Sequence, residues 1–165
     1  MTMRNLAFLA PLAAVLAVAG AAQAQPAEVR VSIGPDLQQK AEDLGEPEVQ
    51  READRLAVTV RDALARAGAL EGARVELVLV DIKPNHPTFE QMASRPGLDG
   101  QRSVSIGGAT IEGEVITADG QHLPVRYDWY STTLADVHGF TTWQDAERAF
   151  DRLAANLVAG RLVTR

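Results

Sequence analysis

The chain of 165 residues contains no cysteine. That excludes disulfide staples, thiol chemistry and a lipid anchor on an N-terminal cysteine. Lysine is nearly absent: of 16 basic residues only Lys40 and Lys83 are lysine. No basic run exists, and the formal net charge is −6. This balance argues against nucleic acid and anionic lipid surfaces as partners. No apolar run reaches the ~18 residues of a membrane span. The longest, Leu6 to Ala19, is 14 residues and is interrupted by Pro11. There is no G-x-S-x-G for serine hydrolysis, and the three histidines, His86, His122 and His138, lie 36 and 16 residues apart. Such spacing gives no zinc signature, so neither a metal nor a cofactor is expected.

What is present begins with an address. Arg4 precedes the apolar run, which ends in Ala22-Gln23-Ala24, small residues of the kind a signal peptidase reads. Residues 1–24 are expected to be a signal peptide cleaved after Ala24, and residues 25–165 a single domain. Removing that segment takes one Arg and no acid, so 15 basic and 22 acidic residues remain, a net charge of −7. A chain of this length can bury enough surface to fold without staples. Richness in Arg, Ala and Gly suggests a GC-rich bacterial genome and a periplasmic destination.

Val29, Val31 and Ile33 alternate with polar residues as in a half-buried strand. Residues 36–45 read as polar and unpatterned. From Pro47 the period changes: Val49, Ala53, Leu56, Val60, Leu64 and Ala67 share one face of a helix. Gly68 is placed to close it in a left-handed cap. Residues 73–83 are apolar on both faces, as in an inner strand, with Val78, Val80 and Ile82 on the second face. A strand, a helix and a strand imply two parallel neighbours. The connection from Pro84 to Arg102 is long. Within it, Thr88 and Gln91 suit a capping box over one helical turn.

Residues 103–115, SVSIGGATIEGEV, raise a question about glycine. No helix opens after Gly107-Gly108 and no Lys follows, so this is no phosphate loop. Val104 and Ile106 are even-numbered, whereas Ala109, Ile111 and Val115 are odd-numbered. The slip in parity predicts a bulge or kink at the two glycines. Next, Ala118-Asp119-Gly120 reads as a three-residue hairpin loop with Gly120 left-handed. It would pair Val115 with Leu123, Ile111 with Tyr127 and Ala109 with Trp129 on an apolar face. A two-residue loop would mix the faces. A last helix follows, capped by Thr142, with Ala146, Phe150, Leu153 and Leu157 as its apolar stripe. The expected fold class is α/β of the α+β type, in β-α-β-β-β-α-like order. It is a two-layer sandwich of a four-stranded mixed sheet with helices mainly on one face.

Residues 27–163 resemble small uncharacterised envelope proteins of Gram-negative bacteria. The likeness is carried by VDIKPNHPTFEQ, by IGGATIEGEV with its Asp-Gly turn, and by TTWQDAERAF. It implies a compact two-layer α/β domain in the periplasm or at an envelope membrane, and no established activity.

One cluster stands out. Asp81 falls near the end of the inner strand, and Asn85 and His86 follow between Pro84 and Pro87. Ligands favour the region beyond the carboxyl ends of parallel strands. Asp81, Asn85, His86 and Gln91 are therefore the candidate binding residues. The plainer reading is that the prolines shape a connection and Asp81 caps a turn. No catalytic residue is assigned. The expected function is a non-enzymatic periplasmic binding or envelope-structural module, whose partner is an envelope protein or a small ligand. The alternative is a small hydrolase using Asp81 and His86 as an acid-base pair.

Overall fold

The computed structural model describes residues 25–139 and 141–164, and the expected signal peptide lies outside them. Strand β1 (Glu28–Ile33) leads through Gly34 into helix α1 (Pro35–Leu44) and then α2 (Glu46–Ala67). Strand β2 (Arg74–Lys83) is followed by the short helix α3 (Phe89–Ser94). Strands β3 (Gly108–Ile116) and β4 (His122–Tyr130) form the hairpin, and α4 (Gln144–Val158) precedes a two-residue strand β5 (Val163–Thr164).

The sheet order is β1-β2-β3-β4-β5. The four long strands make the expected mixed sheet, with β1 parallel to β2 and β2, β3 and β4 antiparallel in turn. Strand β5, which the periodicity does not announce, adds in parallel to β4. Every pair in the hairpin follows the three-residue-loop register, from Ile116 with His122 to Gly108 with Tyr130. Gly120 sits at φ +83.

The core is one cluster between the helices and one face of the sheet. Helix α2 contributes Val49, Ala53, Leu56, Val60 and Leu64. Helix α4 adds Ala146, Ala149, Phe150, Leu153, Ala154 and Leu157. The other face of the hairpin is polar, with Glu112 beside Arg126 and Glu114 beside His122.

Three local expectations are corrected. Residues 36–45 are not unpatterned: Leu37, Ala41 and Leu44 are buried one helical turn apart in α1. Gly45, at φ +94, is the single-residue joint to α2. The bulge lies in β2, between Leu79 and Asp81, rather than at Gly107-Gly108. The extra residue there carries Ile82 to the core face, where it is buried, and Asp81 to the opposite face beside Thr110. Strand β3 begins only at Gly108, so Val104 and Ile106 stand outside the sheet. The two glycines answer to close approach, and Gly108 also to its backbone, at φ +151 where the strand begins. A Cβ on Gly108 would lie 2.2 Å from the Trp129 carbonyl oxygen, and one on Gly107 would lie 2.7 Å from the Asn85 amide. Finally, the residue preceding α4 is Trp143, and Thr142 provides no side-chain cap.

Candidate functional site

The four residues singled out in the sequence do not converge on one pocket. The β2 bulge turns Asp81 to the open sheet face. Lys40 Nζ, from α1, donates to Asp81 Oδ1 at 2.8 Å, and Tyr130 OH, from β4, donates to Asp81 Oδ2 at 3.2 Å. Thr110 Oγ1 lies 2.9 Å from the same phenol oxygen. Lys83 Nζ sits 5.0 Å above the Tyr130 ring. Both lysines of the chain thus flank one aspartate and one tyrosine. Burial pushes the Tyr130 phenol up to about 12, against the Thr110 hydrogen bond, which lowers it. The phenol therefore stays protonated at neutral pH, as a donor rather than a base.

Asn85 turns inward instead and is 1% exposed. Its amide nitrogen donates to Asp145 Oδ2 at 2.6 Å and to the Ser105 carbonyl at 3.2 Å. Its amide oxygen accepts from Asp145 N at 2.8 Å, so Asn85 supplies the cap that Thr142 does not. The Asn85 main chain is engaged as well, N to Thr142 O at 2.7 Å and O from Ser105 N at 2.8 Å. Both donors and the acceptor of the side chain are used, as a buried amide requires. Asn85 is a clasp joining the end of β2, residues 103–107 and the start of α4.

His86 is also buried, and neither ring nitrogen has a hydrogen-bond partner in the protein. Asp81 and His86 are therefore not directly hydrogen-bonded to each other. Gln91 completes the capping box with Thr88, and its Nε2 donates to Asp43 Oδ2 at 3.2 Å. Arg95 also pairs with Asp43, so two side chains tie α3 to α1.

Between these fixed points lies a recess of about 490 Å³. Pro84, Pro87, Leu98, Val104 and Ile106 form its apolar lining, with Lys83, Gln91 and Arg95 around them. A smaller recess of about 270 Å³ shares Lys83, Pro84 and Gln91 and extends to Lys40 and Asp81. Size and lining suit a small ligand or part of a larger one. The sequence grouping missed Lys40, Lys83, Tyr130 and Arg95. Scarcity of lysine was the available signal for the first two.

A further buried acid lies away from the recess. Glu52 on α2 is 3% exposed, with Arg55 Nε 3.7 Å from its Oε2. Arg55 also pairs with Glu147 on α4. Burial pushes the Glu52 carboxyl up to about 7; Arg55 opposes that shift and Glu147 adds to it. Among the described residues no three His, Cys, Asp or Glu side chains gather to hold a metal, and no helix is long and apolar enough to cross a membrane. No protein-family model matches the chain, and no curated protein matches it either.

Proposed function

We propose that the protein is an exported, non-enzymatic binding module of the bacterial envelope, and that the recess beside residues 84–106 is its recognition surface. The observation that carries this reading is an apolar recess bordered by cations and set in a pinned frame. Leu98, Val104 and Ile106 offer apolar surface beside Lys83 and Arg95. The buried Asn85 clasp fixes the segments that carry them. Ordered loops on a rigid scaffold are where binding residues concentrate, and a fixed frame lowers the entropy lost on binding. Export is supported by the signal-like residues 1–24. A non-catalytic role is supported by the engagement of Asp81 with Lys40 and Tyr130, away from His86.

The test uses residues 25–165, immobilised and exposed to a native envelope extract. Leu98→Asp and Val104→Asp change the recess without touching the clasp. The expected result is a captured component that both variants lose while their unfolding midpoints stay near the parent's. Capture that survives both substitutions would overturn the assignment. Asn85 and His86 are unsuitable for this purpose, because both are buried in the frame.

A further inference from the structure

Strand β1 forms one edge of the sheet, and no strand lies outside it among the described residues. Glu28 N donates to the Ala73 carbonyl at 3.0 Å and Gly34 N to the Leu79 carbonyl at 2.9 Å. The even-numbered residues thus direct their main-chain groups to β2, and Val29 and Val31 turn theirs outward. At the far end the Ile33 carbonyl is already taken by Gln38 Nε2 at 3.3 Å. Lysine, proline and a bulge, which commonly blunt an edge, are missing from Glu28–Ile33. Val29, Val31 and Ile33 pack on the core yet are only half-buried. The charges on the opposite face are ordered. Glu28 stands opposite Arg74, and Arg30 opposite Glu76, in the β1–β2 register. Along the strands, Arg30 pairs with Glu28 at 2.6 Å and Arg74 with Glu76 at 3.5 Å. Sign therefore alternates along each strand and across the pair, up to the open edge.

We propose that this edge pairs with β1 of a second copy of the chain, antiparallel about Val29, and joins two sheets into one. The charges name the occupant. An antiparallel ladder centred on Val29 sets Glu28 opposite Arg30 of the second copy, and Arg30 opposite its Glu28. With the neighbouring strands included, one row reads Arg74, Glu28, then Arg30 and Glu76 of the second copy. The row beside it reads Glu76, Arg30, then Glu28 and Arg74 of the second copy. The alternation of sign crosses the interface without a break. On the core-facing side Val29 meets its own counterpart and Val31 meets Ala27, which extends the apolar layer. Neighbouring registers are poorer. Centring on Glu28 or on Arg30 sets that residue against its own like charge. Centring on Val31 leaves both charges unpaired and needs the Ile33 carbonyl that Gln38 holds. Each sheet has one β1 edge, so the contact is isologous and closes at two copies. The surface is separate from the recess, whose lining includes none of residues 27–31.

The test is analytical ultracentrifugation of residues 25–165 from micromolar to submillimolar concentration. The expected result is a reversible dimer. Arg30→Glu alone and Glu28→Arg alone each bring like charges together twice per dimer, and each should weaken association about tenfold or more. Mixed in equal amounts, the two variants should associate again as a heterodimer, because each supplies the sign that the other lacks. Val29→Pro removes an N–H that β2 does not use and should weaken the parent dimer similarly. Without any variant, the Val29 and Val31 amides should exchange hydrogen more slowly at high concentration than at low. A parent that stays monomeric throughout overturns the proposal. So does a dimer that both charge variants keep at full strength, or one whose formation leaves exchange at Val29 and Val31 unchanged. Charge variants that separate alone and stay separate when mixed overturn the register.

Discussion

Two connections serve β3. The hairpin from Thr117 to Gln121 leads out of it into β4, and the connection from Pro84 to Gly107 leads into it from β2. In the hairpin every tie is local. Thr117 N donates to Gln121 O at 2.9 Å, Gly120 N to Thr117 O at 2.9 Å, and Gln121 N to Thr117 Oγ1 at 3.0 Å. In the longer connection the decisive ties are remote: Asn85 reaches Ser105 and Asp145, 20 and 60 residues away. The hairpin is closed by turn chemistry, which nearby residues provide. The connection is closed by a buried polar clasp, which only the assembled fold can provide.

The sharpest way to break the contrast is Asn85→Ala. It leaves the Asp145 carboxylate and main-chain N–H short of partners inside the protein, and should cost about 3 kcal/mol by chemical denaturation. A loss below about 1 kcal/mol would show that the connection is held by something other than the clasp.

A pH series then separates the clasp from the helix pair. The Glu52 carboxyl has an ordinary value of 4.5 and is pushed up to about 7 in the fold. Between those values the folded protein holds a proton that the unfolded chain has released. Stability is therefore greatest below pH 4.5, falls as pH rises to about 7, and is level beyond that as far as Glu52 is concerned. The fall should be on the order of 1 kcal/mol, given partial solvent screening. Glu52→Gln should remove this component, whereas Asn85→Ala should keep it, because an amide does not titrate. Identical slopes in all three proteins would place the pH dependence elsewhere.

Smaller effects are expected on the local side. Gly120→Ala should cost about 1 kcal/mol, since Gly120 is left-handed and nothing crowds its Cβ position. Thr142→Ala should stay within about 0.5 kcal/mol, because its hydroxyl makes no cap and its carbonyl, which accepts from Asn85, is retained. Thermal or urea unfolding resolves both, and a Thr142 effect as large as that of Asn85 would reverse the assignment of the cap.

The same division explains what was legible in the sequence. The hairpin register, α2 with its left-handed Gly68 and the Thr88–Gln91 box are decided by residues within a few positions of one another. Helix α1 escaped because Leu37, Ala41 and Leu44 are only three apolar residues among polar ones, with no gap before α2. Thr142 satisfies the local rule for a cap, yet a side chain from the end of β2 takes that position. Asp81, Asn85 and His86 are neighbours in the chain and part company in space. A bulge sends the first to the open face, and burial draws the other two inward. The parity of Val104 and Ile106 differs from that of β3 because they belong to the connection before it, which ends at Gly107. What holds it in place is a tertiary fact: Ser105 is tied to Asn85 and Gly107 to Ser131, both remote in the chain.

The clasp also has a consequence for synthesis. A ribosome delivers Asn85 well before Asp145, so the nascent chain cannot close the connection until the last helix has emerged and docked. Until then residues 103–107 have no fixed frame. Apolar surface left exposed by unfinished packing favours association, and half-made chains are the most vulnerable to it. Because closure depends on Asp145, the recess is organised only once α4 has docked.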